Sequence, residues 1–289
     1  LLFDVKNRCW SEEMLEIFGR LELAYDETTN MITAPSFRQD IECFADIAEE
    51  VARFYGYDKI PTTLPTGEAT TGKLPFKLRV EEKARDIAEY CGFSQGMCYS
   101  FESPKVFDKL LIPSDSPLRQ TVTIANPLGE DFSIMRTISL NGILTSLASN
   151  YNRRNKNVRL YELGNIYIPK SIPVTDYPDE RMQFTLGMYG EGDFFTMKGV
   201  VEEFLESVGM TKKITYDPNA GKTFLHPGRQ ALILYKETVI GYLGEVHPEV
   251  TDNYDIDTKV YVAVLDMPEI LPYASFDRKY EGIAKYPAV

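Results

Sequence analysis

The sequence predicts an α+β protein in two parts: a small helix, hairpin, helix module of winged-helix-like order, then a larger unit built on an antiparallel sheet with helices on one face. Three observations predict it. Apolar residues recur at helical spacing in a few separated stretches, first at Met14, Ile17, Phe18 and Leu21. Runs with strand character predominate in the second half and are joined mostly by short turns, which favours antiparallel pairing over a Rossmann-like rhythm. Between the two parts, Lys59 to Pro75 holds three prolines, two glycines and five threonines without sustained periodicity, the composition of a linker.

Taken in order, Ser11 is the N-cap of a first helix, with Glu12 and Glu13 in its positively polarised first turn. Leu23 to Tyr25 and Met31 to Ala34 read as short strands around the polar turn Asp26 to Asn30. A second helix follows. The boundary falls near Gly67, so that residues 1–66 form the module, 67–77 the connection and 78–289 the larger unit. In that unit Leu78 to Cys91 reads as an amphipathic helix, Gln95 to Phe101 and Arg119 to Ala125 as strands, Asn126-Pro127-Leu128-Gly129 as a turn and Ser139 to Asn152 as a helix. Long strands are expected at Val158 to Ile168 and Arg181 to Tyr189, and a helix at Thr196 to Val208. A hairpin of Gln230 to Leu234 with Val239 to Glu245 turns at Lys236-Glu237, and Val260 to Met267 closes the unit.

Bulk properties narrow the class. With 289 residues, 44% of them hydrophobic, the chain builds one large core or two modest ones. No apolar run approaches the roughly 18 residues needed to cross a bilayer. There is no signal peptide and no starting Met, so the sequence reads as a piece of a longer chain. Cys9, Cys43, Cys91 and Cys98 show no paired metal spacing and are too few to staple a protein of this size, which fits a reducing cytoplasm. A net charge of −12 argues against broad nucleic-acid binding and confines any RNA contact to a local patch. The one dense positive run is Arg153, Arg154, Lys156 and Arg159, which also suits the negative end of the preceding helix.

The most distinctive stretch runs from Pro35 to Pro61. Asp46, Glu49 and Glu50 fall at i, i+3 and i+4, placing three carboxylates on one face of the second helix. Ile47, Val51 and Phe54, flanked by Ala48 and Tyr55, form the opposite, apolar stripe. Asp40 offers a fourth carboxylate from upstream. Such a cluster repels itself unless a cation sits in it, and hard oxygen donors suit magnesium or calcium. The plainer alternative is a solvated acidic face with Glu49 paired to Arg53.

Read as Pro35, Ser36, Phe37, Arg38, Asp40, Ile41, Asp46, Glu49, Glu50, Arg53, Tyr55, Gly56, Tyr57 and Asp58, this stretch resembles the fifth module of the bacterial phenylalanyl-tRNA synthetase β-subunit family. The resemblance implies that Asp40, Asp46, Glu49 and Glu50 bind Mg2+, and an ion held only by the folded module would raise its melting temperature. The larger unit resembles the synthetase-like core of the same family. It does so through Asn126-Pro127-Leu128 with Met135-Arg136-Thr137, Tyr161-Glu162-Leu163-Gly164, Met197-Lys198-Gly199, His226-Pro227-Gly228-Arg229, and Gly241-Tyr242-Leu243-Gly244-Glu245-Val246-His247-Pro248-Glu249.

The resemblance implies a class II aminoacyl-tRNA synthetase-like antiparallel sheet flanked by helices, without catalysis of its own. Charging of tRNA(Phe) with phenylalanine, using ATP, would take place on an α subunit, in a cytoplasmic heterotetramer of two α and two β subunits. The residues agree with that silence. A class II site needs arginines to clamp the ATP phosphates, yet the strand after Gly164 ends in Ile168-Pro169, no Gly-x-Gly-x-x-Arg follows, and there is no Gly-rich phosphate loop. His226 and His247 both precede proline and read as turn residues rather than as a catalytic pair or zinc ligands. No catalytic residue is assigned.

The window from Thr137 to Asn152 carries no charge. Leu140, Ile143, Leu144 and Leu147 bury one helix face, while Asn141, Gly142, Thr145, Ser146, Ser149 and Asn150 leave the other small and polar. Charge depletion marks the centre of interfaces, so this face is expected to meet a synthetase subunit, α, with Arg136 and Arg153 at its ends and Ser146 and Ser149 between them. The alternative is cover from the same domain. Two other functions stay open. A stand-alone adenylate-forming enzyme is disfavoured by the missing arginines, and a winged-helix nucleic-acid-binding protein by carboxylates where a recognition helix is basic.

Overall fold

The structure, a computed structural model, describes residues 3, 4, 9–278, 280 and 282. The chain divides into two compact units, Leu1–Gly72 and Lys73–Val289.

In the first unit β1 (Phe3–Asp4) pairs antiparallel with β2 (Cys9–Trp10). Helix α1 (Glu12–Arg20) begins where the Ser11 hydroxyl accepts the Met14 amide, and it buries Met14, Ile17 and Phe18. Strands β3 (Ala24–Asp26) and β4 (Met31–Thr33) form an antiparallel hairpin. Its turn is held by Asp26, which accepts from the Thr28 amide and the Thr29 hydroxyl. Helix α2 (Phe44–Tyr55) completes the core with Ile47 and Val51. Trp10 stands edge-on to Phe18, with ring centroids 4.9 Å apart.

The second unit runs through α3 (Phe76–Tyr90), β5 (Ser94–Gln95), β6 (Phe101–Glu102), α4 (Val106–Lys109), β7 (Ile134–Met135) and α5 (Leu140–Asn152). It continues with β8 (Val158–Ile168), β9 (Asp179–Tyr189), α6 (Phe194–Ser207), β10 (Ile214–Asp217), β11 (Leu225–Tyr235), β12 (Thr238–Val246), α7 (Pro248–Asn253), β13 (Val260–Asp266) and α8 (Met267–Ile270). The main sheet has the order β10-β11-β12-β13-β9-β8-β5. Every neighbouring pair is antiparallel except β5 with β8. The β11–β12 hairpin turns at Lys236, whose φ of 58° lies in the left-handed region.

Helices cover both faces of this sheet, not one. On β13, Tyr261, Ala263 and Leu265 join the core shared with α3, α6 and α8, whereas Val260 and Val262 join the core under α5 and α7. The strand is buried from Val260 to Leu265 without a break, the signature of a two-sided strand in an otherwise antiparallel sheet. Gly187 on β9 lets α5 settle closely, because a Cβ there would lie 2.4 Å from Ile143 Cγ2.

Two expected strands are mostly irregular. Arg119 ends a 3-10 turn, Pro117–Arg119, and its guanidinium donates to the Ile112 carbonyl and pairs with Asp108, both at 2.6 Å. Beyond it only Thr123 forms a bridge, to Ile134. Of Gln95 to Phe101, only the two ends pair. Among the described residues no helix is long and apolar enough to cross a membrane.

Candidate functional site

The acidic constellation of the first unit is organised by arginine. Arg38 Nε and Nη2 donate to Asp40 at 2.9 and 2.6 Å, and Nη2 also donates to Glu50 Oε1 at 2.8 Å. Glu50 Oε2 accepts from Arg53. Glu50 is the inward carboxylate, 8% exposed, where an unpaired charge would be costly. Hydrogen bonds from Arg38 hold the Asp40 carboxyl down at about 2 and hold Glu50 below the usual carboxylate range. The same contacts raise the Arg38 guanidinium above its ordinary value.

Asp46 serves the backbone. Its Oδ2 accepts the amides of Glu42 and Cys43 at 2.8 Å each, closing the first turn of α2 and lowering its carboxyl. Glu49 is exposed, and Arg53 turns to Glu50 rather than to it. In this arrangement the four do not make a coordination shell, and among the described residues no three carboxylate, histidine or cysteine groups are gathered as a metal would require.

In the second unit two pairs of the strings singled out in the sequence meet in space. Arg136 donates from Nη1 to Glu162 at 3.0 and 3.2 Å and from Nε to the Asn165 carbonyl at 2.8 Å. Gly164 makes room, since a Cβ there would lie 2.1 Å from the Arg136 guanidinium. Likewise Arg229 pairs with Glu245 at 2.8 Å, and a Cβ on Gly244 would lie 2.8 Å from the Arg229 carbonyl. Arg181 is bound to Asp266 at 2.9 Å and to Glu269 at 2.6 Å. Three arginines of this unit, Arg181 on β9, Arg229 on β11 and Arg136 just after β7, are thus paired with carboxylates of their own chain.

Arg136 is therefore not an edge of a partner surface. It is 1% exposed, because its charge is matched inside the unit by Glu162. Arg153 is exposed beyond the end of α5. On the uncharged face of α5, Thr145 and Ser149 are exposed, while Asn141, Gly142, Ser146 and Asn150 are half-buried. Cys98 covers part of it, with Sγ 3.8 Å from Ser146 Oγ and so close to Gly142 that a Cβ there would lie 2.6 Å from its own Cβ. A cavity of about 550 Å³ opens beside this face, walled by Tyr99, Phe101, Lys105 and Phe132.

Under that cavity lies a carboxylate that sequence reasoning missed. Glu102 Oε1 accepts from Asn141 Nδ2 at 2.8 Å, and Asn141 is oriented in turn by the Tyr254 hydroxyl at 2.6 Å. Oε2 has no partner among the described residues. Burial pushes this carboxyl up to about 7, against the pull of Asn141 and Arg136 and with a further push from Glu162. The histidines are not both turn residues: His226 stands in β11, where its Nδ1 accepts the Gly228 amide, and His247 caps α7, its Nδ1 accepting the Glu249 amide. Cys43, Cys91 and Cys98 are free thiols, and the side chain of Cys9 lies outside the described residues.

Both units fall within families of tRNA synthetase modules. Residues 9–57 match the tRNA synthetase B5 domain, and residues 60–267 match the phenylalanyl tRNA synthetase beta chain CLM domain. The second match covers most of the chain, which belongs to the phenylalanyl tRNA synthetase beta chain family. Among its relatives are proteins named phenylalanine–tRNA ligase beta subunit from Clostridium acetobutylicum, 44% identical over 281 residues, and from Clostridium tetani, 43% identical over 281 residues. One of the same name from Moorella thermoacetica is 34% identical over 285 residues. Each alignment takes in 96% of this chain but 35% of the relative, so the chain spans about a third of their length.

Proposed function

We propose that this chain is the scaffolding part of the β subunit of phenylalanine–tRNA ligase, the enzyme that charges tRNA(Phe) with phenylalanine using ATP. In this reading it seats the α subunit within a cytoplasmic heterotetramer of two α and two β subunits and supports the tRNA, while adenylate formation and aminoacyl transfer take place on α. The finer fold belongs to the same proposal. A winged-helix-like module is supported by the helix, hairpin, helix order of the first unit, and a class II synthetase-like core by the antiparallel sheet flanked by helices.

One observation carries the non-catalytic role. Stabilising charge at the α-phosphate requires arginines held ready for the nucleotide, and here Arg136, Arg181 and Arg229 are already committed to Glu162, to Asp266 with Glu269, and to Glu245. Asp40, Asp46, Glu49 and Glu50 are kept as the Mg2+ ligands that the family implies, on the condition that Arg38 gives up two of them. The seat for α is the exposed side of α5, Thr145 and Ser149 with the edge of Ser146, extending to Arg153.

The test is assembly together with chemistry. Replacing Thr145 and Ser149 with Arg should abolish co-elution with the α subunit on gel filtration, while the chain's own stability changes by no more than about 0.5 kcal/mol, as at exposed positions. The unmodified chain alone should catalyse no phenylalanine-dependent exchange of pyrophosphate with ATP. Exchange that survives removal of host synthetase, or assembly that tolerates both arginines, overturns the reading.

A further inference from the structure

The cavity beside α5 has a buried carboxylate in its floor and no cation to match it. Glu102 is 4% exposed, with Oε1 on Asn141 at 2.8 Å and Oε2 without a partner among the described residues. The two lysines in the cavity wall are engaged elsewhere: Lys105 pairs with Glu130 at 3.1 Å, and Lys109 lies 5.3 Å from the centroid of the Tyr254 ring. Arg136 gives Nη1 to Glu162 and acts on Glu102 only through space. Asn141 is held in place, because the Tyr254 hydroxyl donates to its Oδ1 at 2.6 Å. The other titratable groups in the wall are Asp131 and the Cys98 thiol, which burial pushes up to about 11, and neither brings positive charge.

Around this carboxylate the cavity of about 550 Å³ is walled by aromatic rings, Tyr99, Phe101 and Phe132, with Tyr99 and Phe132 edge to face at 5.7 Å. Aromatic rings beside a buried anion suit a guanidinium or an ammonium, which is attracted by the ring faces and then by the carboxylate. An apolar occupant would instead seal an unpaired carboxyl away from water. We propose that this cavity is a socket for one basic side chain of the α subunit, whose guanidinium or ammonium docks against Glu102 when the subunits assemble. The inference rests on the seat for α placed above on α5, and it specifies what that partner brings. Continuity favours α as the source, since Asn141, Gly142, Thr145 and Ser146 of the uncharged α5 face line the same cavity.

The two kinds of occupant differ in the sign of their proton exchange. In the free chain burial holds the Glu102 carboxyl at about 7, so near neutral pH about half of the molecules carry its proton. A docking cation favours the ionised form, expels that proton and makes assembly tighter as pH rises through 7. An apolar side chain favours the neutral form and takes a proton up. Association of this chain with α is measured by titration calorimetry between about pH 6 and 8, in buffers of different ionisation enthalpy, for the native chain and for Glu102→Gln. The native chain should release about half a proton more than the variant at pH 7. Relative to the variant its affinity should rise by up to about tenfold across that range, and at the upper end Glu102→Gln should bind α at least about tenfold more weakly.

Proton uptake or no exchange on assembly overturns the socket, as does a Glu102→Gln chain that binds α as tightly as the native chain at every pH. If arginines at Thr145 and Ser149 still abolish assembly in that case, the seat on α5 stands without the socket. If those arginines are tolerated as well, both fail. Should Glu102→Gln not fold, the sign of the native chain's own proton exchange decides: release supports the docked cation, and uptake or none refutes it.

Discussion

Glu102 gives the sharpest quantitative test of the second unit. It is 4% exposed, one oxygen is satisfied by Asn141, and burial raises its carboxyl from 4.5 to about 7. A carboxyl raised by the fold binds its proton more tightly in the native than in the unfolded state. The stability that Glu102 contributes is therefore greatest at acid pH and falls as pH rises through that interval, levelling off above about 7. At about 1.36 kcal/mol per pH unit, the interval is worth about 3 kcal/mol. Glu102→Gln removes the titration and keeps a carbonyl oxygen for Asn141. The variant's new amide hydrogens lack partners, which costs about 1–3 kcal/mol at every pH and leaves the slope as the readout. Urea unfolding followed by far-ultraviolet circular dichroism across that pH range should show the native curve declining by about 3 kcal/mol relative to that of Glu102→Gln. Trp10 emission, which belongs to the first unit, serves as the internal control and should not differ between the two proteins. Parallel curves would show that Glu102 is not the buried acid described here.

Two further predictions concern packing. Arg136→Met strands Glu162 as a buried charge and should cost about 3–5 kcal/mol in urea unfolding, most of which returns when Glu162→Met is added. Gly187→Ala places a Cβ 2.4 Å from Ile143 Cγ2 and 3.0 Å from Leu147 Cδ1, and should cost about 1–3 kcal/mol by the same measurement, less in the presence of Ile143→Val.

Local signals were read well from sequence where one element supplies the whole cause. Ser11 caps α1 as its side chain predicts, the β11–β12 hairpin turns where Lys236-Glu237 stand, and the window after Ser139 is helical from Leu140. What sequence hid is chemistry closed by a distant partner. Arg38 looked like one residue of a motif, but its contact with Glu50 is twelve positions away. Arg136 looked like the charged end of an interface because charge is visible in a sequence and burial is not. Its Glu162 and the room left by Gly164 lie on β8. Arg119, in a run with strand character, is drawn aside by carbonyls of the preceding loop. The second helical layer had a signal, the unbroken apolar run of β13, which is what a strand covered on both sides requires.

The outer border of β8 decides how this molecule can be joined to another. The strand is long, yet its border is closed piecemeal by its own chain: Gly96 donates to the Tyr161 carbonyl at 2.7 Å, β5 pairs at Leu160 and Tyr161, and Tyr167 donates to the Arg136 carbonyl at 2.9 Å. At the opposite end β10 offers a ledge of four residues. A visiting strand therefore finds no long backbone ladder to extend at β8, and the usual hazard of a broad sheet, edge-to-edge accretion, is blunted there. Recruitment of a neighbour on that side has to be negotiated by side chains on helices, where a single substitution can forbid it, and not by the peptide backbone, which every protein shares.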